Sequence, residues 1–175
     1  GGFIRSMKGI RHPDIQFHFL AGAVEEQSNF KNVHAFQVHC GTMRPYSRGY
    51  VKLNHKKELI IQPNYLEHEL DLQDLRKSVK LTFEILSQEA FDKYRDSYII
   101  PRSHKLTDRE IDAFIINNVQ SAYHPTSTCA IGKVVDENGI VYGTKNLRVV
   151  DASIMPSLVS GNTNAATIMI AEKLA

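Results

Sequence analysis

The run Asp14-Ile15-Gln16-Phe17-His18-Phe19-Leu20 decides the first part of the fold. Ile15, Phe17 and Phe19 fall on one side of an extended chain and Gln16 and His18 on the other, because strand side chains alternate with a period of two. Such a strand buries one face and leaves the other wet, the habit of antiparallel sheets. Phe36-Gln37-Val38-His39-Cys40 repeats the pattern after a polar loop. Gly49-Tyr50-Val51-Lys52-Leu53-Asn54 offers a third strand behind the turn-forming stretch Pro45-Tyr46-Ser47-Arg48-Gly49. The three are expected to be antiparallel neighbours with one face buried.

Beyond them the period changes to that of a helix. Leu72, Leu75, Val79, Phe83, Leu86 and Ala90 recur every three or four residues and share one stripe. Asp71 and Asp74 sit near the start, where carboxylates suit the positive end of the helix dipole. Thr107-Asp108-Arg109-Glu110 opens a second helix as a capping box, with Ile111, Phe114 and Ile115 on its apolar side. From about residue 119 small and polar residues dominate. Short β segments are expected around the turn Glu137-Asn138-Gly139, and Leu147-Arg148-Val149-Val150 reads as a short strand that stops at Asp151. A helix rich in Ala, Ile and Met, from about Asn164 to Ala175, closes the chain.

Composition limits what this arrangement serves. With 175 residues, 42% of them hydrophobic, there is enough for one core, or for one domain and part of another. The 21 Lys and Arg nearly balance 19 Asp and Glu, with no basic run, so nothing points to nucleic acid as a partner. Apolar stretches fall well short of the roughly 20 residues that span a bilayer, which leaves peripheral association with a membrane open. Cys40 and Cys129 are too sparse for a disulfide framework and are expected to stay unbridged. The chain starts Gly1-Gly2-Phe3-Ile4-Arg5, without initiator Met, signal or transit character, and is expected to begin inside a longer protein.

Two blocks carry chemistry. Tyr123-His124-Pro125-Thr126-Ser127-Thr128-Cys129-Ala130-Ile131-Gly132 resembles the His-Pro-x-x-Thr-Cys-x-x-Gly signature of the glucose-methanol-choline (GMC) oxidoreductases. The block from Asn146 through Asp151-Ala152-Ser153 and Ser160-Gly161-Asn162-Thr163-Asn164-Ala165-Ala166-Thr167 to Lys173 is similar to that family's second C-terminal block. The Gly-Gly-Phe-Ile-Arg opening and Ile61-Gln62-Pro63-Asn64-Tyr65-Leu66 extend the likeness over essentially the whole chain, with the choline-oxidising branch nearest.

The resemblance implies FAD as cofactor and a primary alcohol as substrate, with choline oxidised to betaine aldehyde. It implies that His124 acts on the substrate hydroxyl, a task suited to imidazole, whose unperturbed pKa lies near ~6.5. Asn162 matches the family's second catalytic position and would hold the developing alkoxide. Asp151 and Ala152 would approach the ribityl and pyrophosphate part of FAD. Asn164, Ala165 and Thr167, at the start of the last helix, would face its pyrimidine edge, where unbonded N–H groups favour an anion. Many relatives carry Pro where this chain has Ala166, a mild departure, since Pro there only presets a first helical turn. Tyr123 is a candidate wall for a trimethylammonium head and His18 a candidate lining residue; sheet packing is the competing reading for both. Electrons would pass to a quinone or the respiratory chain. A eukaryotic source would place the enzyme at the mitochondrial inner membrane, matrix side; otherwise it would be cytoplasmic or peripheral to a membrane.

Rival readings are weaker. His34, His39, Cys40, His124 and Cys129 lack the paired short spacing of zinc sites, so no metal is expected. No G-x-S-x-G elbow supports a serine hydrolase. No G-x-G-x-x-G dinucleotide fingerprint occurs either, so a non-catalytic substrate-binding module remains the alternative for the isolated segment. Other GMC dehydrogenases or oxidases are the alternative for the activity. The expected fold is α+β: an antiparallel-sheet substrate-binding domain with covering helices over residues 1–118, and a segment, 119–175, that completes an FAD-binding α/β domain.

Overall fold

In the computed structural model, which describes residues 1–22 and 34–175, the alternating run becomes the central strand of a small sheet. Strands β1 (Gly2–Ile4), β2 (Ile15–Leu20) and β3 (Gln37–Thr42) lie in that order, each pair antiparallel. Ile15 stands opposite both Ile4 and Thr42, and Phe17 opposite Cys40. Ile15 and Phe17 are 0% and 3% exposed, but Phe19, on the same face, is 40% exposed and stacks on Phe91 with 6.3 Å between ring centroids. The polar loop expected after Leu20 lies largely outside the described residues.

Helix α1 (Glu69–Leu86) packs on β3. Its first turn is held by His68, whose Nδ1 accepts the Leu70 N–H at 3.2 Å, and by the acidic Glu69 and Asp71. The Asp71 carboxylate, almost wholly buried, accepts the Tyr46 N–H at 2.7 Å. The helix is shorter than the apolar stripe suggested. Ser87 turns its hydroxyl and N–H back onto the Phe83 carbonyl, which closes the last turn, and Ala90 falls in a separate 3-10 turn, Glu89–Phe91.

Helix α2 (Asp108–Asn118) carries the capping box read from its sequence: Glu110 N–H donates to the Thr107 hydroxyl and Thr107 N–H to the Glu110 carboxylate. The Thr107 N–H and the Thr107 hydroxyl, both donating to the Glu110 carboxylate, hold that carboxyl below its ordinary range. Ile111 and Ile115 meet Val79 of α1 to form the core, with Cys40, Leu75 and Phe83 packed around it. Burial of Cys40 pushes its thiol pKa up; both cysteines are free. Arg76 forks onto Asp112 with two 2.6 Å bonds, which raise its pKa, and Lys80 holds the Asp108 carboxyl below its usual range. The half-buried bidentate pair ties α1 to α2 more firmly than exposed ion pairs do.

Contacts divide the chain into two compact units. The first comprises Gly1–Tyr46 and Leu66–Val119, the second Ser47–Tyr65 and Gln120–Ala175. The third expected strand therefore does not join the first two. β4 (Tyr50–Leu53) pairs with β5 (Leu59–Gln62) in a separate antiparallel hairpin of the second unit. Its turn is built locally: Asn54 Oδ1 accepts the N–H groups of Lys56 and Glu58, and Lys57 takes a left-handed φ of 62°. A turn closed by its own side chain brings neighbouring segments together before a distant strand can compete.

The expected strand 147–150 also forms no ladder. Isolated bridges join Val135 to Val141 and Ile140 to Arg148, and Val149 N–H donates to the Gly139 carbonyl. Gly139 has φ 77°, and a Cβ there would meet that neighbouring backbone at 2.7 Å, so the turn at 137–139 depends on glycine. The unit ends with α3 (Asn164–Leu174). Among the described residues no helix is long and apolar enough to cross a membrane.

Candidate active site

Within the second unit the two motif blocks are stitched together by backbone. The N–H groups of Ser127, Cys129 and Ile131 donate in turn to the carbonyls of Ala152, Ser153 and Ile154, at 3.4, 2.9 and 2.9 Å. Asp151 sits extended at the head of this seam as the cap of the 3-10 turn Ala152–Ile154. Its Oδ1 accepts the Ser153 N–H at 2.8 Å and the Ser153 hydroxyl at 2.5 Å. These bonds fix the far end of the loop that carries His124.

The near end is fixed by backbone conformation. Tyr123 has φ 59°, a left-handed value that costs a bulky residue energy and is held only where its surroundings demand it. Its N–H donates to the Ser121 hydroxyl at 2.9 Å, and its ring stands 84% exposed. Ser127, at φ 74°, bends the loop back after Pro125.

The imidazole of His124 is thereby set against the entrance to α3. Its Nε2 lies 2.7 Å from Nδ2 of Asn162, and its Nδ1 lies 3.2 Å from the hydroxyl of Thr163. An amide NH2 only donates, so with Nδ2 facing the ring, Nε2 is the acceptor and carries a lone pair. His124 is half-buried and Asn162 exposed, so the polar edge of the pair opens outward.

Asn164 and Ala165 are exposed in the first turn of α3, and Thr167 folds its hydroxyl onto the Thr163 carbonyl at 2.9 Å. No side chain caps this helix. The first-turn N–H groups of an uncapped helix are an anion-binding surface. Small side chains at Gly161, Ala165 and Ala166 leave the backbone open to a flat group. An anionic ring edge such as the flavin pyrimidine fits this donor set.

The structure thus brings together His124 and Asn162, and it joins the Asp151–Ala152 segment to the His124 loop. Tyr123 adjoins His124 in sequence but turns its ring outward. His18 belongs to the first unit, where it is exposed on β2 opposite His39. Thr163 was not singled out by the sequence. Standing just before a helix, it reads as an ordinary cap, and only the fold reveals its partner. An open apolar groove of about 530 Å³, lined by Ile154, Met155, Leu158, Met169 and Ile170, lies along α3 but includes neither His124 nor Asn162. Its lining is mostly apolar, with Ser157 and Ser160 as its polar members.

Comparison with known proteins gives this geometry a context. A family model described as GMC oxidoreductase matches residues 45–171. The chain is 52% identical over its whole length to "Choline dehydrogenase, mitochondrial" of Homo sapiens, covering 31% of that protein. It is 45% identical, again over its whole length, to "Oxygen-dependent choline dehydrogenase" of Cronobacter sakazakii, covering 33%. The chain therefore spans about a third of the length of the relatives it matches. Among solved structures, pyridoxine 4-oxidase from Mesorbium loti superposes with a TM-score of 0.86 at 30% identity, over 98% of this chain and 36% of that one. An FAD-dependent oxidoreductase from Chaetomium thermophilum superposes with a TM-score of 0.68 at 28% identity, over 76% of this chain and 24% of that one.

Proposed function

The chain belongs to the GMC oxidoreductase family, and on that premise we propose that the full-length protein oxidises a primary alcohol, choline to betaine aldehyde, with FAD as cofactor. The observation that carries the reading is the 2.7 Å approach of His124 Nε2 to Asn162 Nδ2. Together they present one proton acceptor and one hydrogen-bond donor along a single exposed edge.

An alcohol oxygen entering between the two would displace their hydrogen bond, accept the Asn162 N–H in place of Nε2, and pass its own proton to the Nε2 lone pair so released. The proton transfer needs an acceptor that is neutral near pH 7, which imidazole is. The Asn162 hydrogen bond supports the negative charge that grows on oxygen as the proton leaves. Bound FAD would supply the acceptor for the hydride at its N5. Asp151 and Ala152 would hold its ribityl–pyrophosphate part, and the first turn of α3 at Asn164, Ala165 and Thr167 its pyrimidine edge. Tyr123, with an exposed ring beside His124, would offer its face to a trimethylammonium group, and His18 would line the substrate cavity. Residues 1–118 would serve mainly as substrate-binding domain, and 119–175, joined by the hairpin at Ser47–Tyr65, as the completion of the FAD-binding domain.

The choline assignment draws on the names of the human and bacterial relatives. The bacterial name specifies oxygen, which favours molecular oxygen as a second candidate beside a quinone or respiratory-chain acceptor. For a eukaryotic source we place the enzyme at the mitochondrial inner membrane, matrix side, in keeping with the human relative's name; a bacterial source would make it cytoplasmic or peripheral to the membrane.

The test uses full-length, flavin-loaded protein. His124→Ala should lower turnover by about two to four orders of magnitude, the usual worth of a positioned acid–base group, with flavin still bound; near-normal turnover would end the catalytic reading. Choline should be preferred over glucose and simple alcohols in a steady-state assay, and a lack of preference would leave the family but remove the substrate.

A further inference from the structure

We propose that Thr163 is a positioning residue that holds the His124 imidazole with its proton on Nδ1, so that Nε2 is kept as the proton acceptor. The inference rests on the reading of His124 as the base and concerns what makes it one.

Three observations converge. The Thr163 hydroxyl lies 3.2 Å from His124 Nδ1, and the opposite ring nitrogen already faces the NH2 of Asn162 at 2.7 Å. An NH2 group facing Nε2 favours that nitrogen as acceptor; the ring proton then belongs on Nδ1, and a hydroxyl oxygen is the acceptor it needs. Thr163 is also 8% exposed, so neither its rotamer nor a replacement by water is free.

The third observation is what Thr163 does not do. It occupies the cap position of α3, where threonine is favoured because its hydroxyl accepts an N–H of the first turn. Here no side-chain cap bond forms, and the residue has φ −84° and ψ −15°, helical values rather than the extended ones of a working cap. Two neighbouring residues suited to capping, Asn162 and Thr163, both direct polar atoms at one imidazole. A helix that forgoes a stabilising cap for such a contact places the hydroxyl by requirement of the histidine, not of the helix.

The assignment has a functional consequence. Histidine in water prefers its proton on Nε2, the tautomer that presents a donor to the substrate and has no lone pair there. Thr163 opposes that preference, while a valine of the same shape would not. Lacking the bond, part of the population would hold the unproductive tautomer and the imidazolium formed in turnover would lose an acceptor.

The experiment uses full-length, flavin-loaded protein carrying ¹⁵N-labelled histidine, with Thr163→Val and Thr163→Ser. In the parent, the His124 resonances should report a protonated Nδ1 and an unprotonated Nε2. Thr163→Val should move the proton toward Nε2 and lower kcat/KM roughly fivefold, which corresponds to about 1 kcal/mol of hydrogen-bond energy. Thr163→Ser should restore both. A parent protonated on Nε2 would overturn the proposal, as would a valine variant with unchanged resonances. A serine variant further from the parent than the valine variant would also overturn it, since that order marks a packing role. Failure of the underlying reading is separate: it would appear as normal turnover in His124→Ala, while the resonances still reported the tautomer.

Discussion

Replacing Asn162 by Asp puts a carboxylate where a neutral amide now stands, 2.7 Å from His124 Nε2. Two unit charges that close attract by about 1.5 kcal/mol even at the dielectric constant of water, from 332/(ε·r). Asn162 is exposed, so salt screening and side-chain freedom reduce this figure, and it is an upper value. The carboxylate stabilises the imidazolium and not the neutral ring, so the His124 pKa rises, by about one unit for this energy. A base must be unprotonated to act; its activity climbs with pH through its pKa, and the climb should start later in the variant. In the full-length enzyme the acid limb of the pH profile of kcat/KM should therefore move up, by as much as about one pH unit. Asn162→Ala is the control, lowering kcat by roughly a hundredfold to a thousandfold for loss of a donor to developing charge, without the upward displacement. An acid limb that stays in place or moves down in Asn162→Asp would refute the pairing of these two side chains in the working enzyme.

Acid should loosen the first unit in a defined window. The Asp108 and Glu110 carboxyls are held low by Lys80 and by the Thr107 bonds; depressed carboxyls stabilise the fold fully above their unfolded pKa, about 4, and lose that contribution as pH falls through the folded one. Glu110→Gln should therefore flatten the fall in thermal stability below about pH 4, and an unchanged slope would count against the capping box. In the hairpin, Gly49→Ala would set a Cβ against the Gln62 carbonyl and 2.8 Å from Pro63 Cα, both backbone. It should reduce hydrogen-exchange protection in β4 and β5, and unaltered protection would show that the strands separate without cost.

Much of this architecture is written in periodicity. The alternation from Ile15 to Phe19 and the capping box at Thr107 and Glu110 are local signals, and the structure follows both. Where pairing depends on a remote partner, the same signals mislead. Tyr50–Leu53 has strand character, but nothing in it says that Leu59–Gln62, and not β2 or β3, is its neighbour; the answer lies in the bonds that Asn54 makes to its own turn. Val149 and Val150 favour strands by type, yet the adjoining segments offer only single bridges. The helical stripe ran on to Ala90 because periodicity does not register Ser87 closing the helix. At the site, His124 and Asn162 stand out by motif, 38 residues apart, while Thr163 is invisible because its informative property is a bond it declines to make.

The interleaving of the two units bears on how the molecule is made. β3 is complete at Thr42, but α1, which packs on it, begins only at Glu69, and the chain between them belongs mostly to the other unit. At a synthesis rate of about 5–20 residues per second, a ribosome exposes the sheet for seconds before its cover emerges. During that interval Cys40 and its neighbours lack Val79, Ile111 and Ile115. The hairpin of Ser47–Tyr65 waits longer still for Gln120–Ala175. A ribosome that stalls after Leu59–Gln62 has left its exit tunnel, but before Glu69–Leu86 has, would thus hold an uncovered sheet and a hairpin without its unit, the kind of nascent chain that chaperones bind.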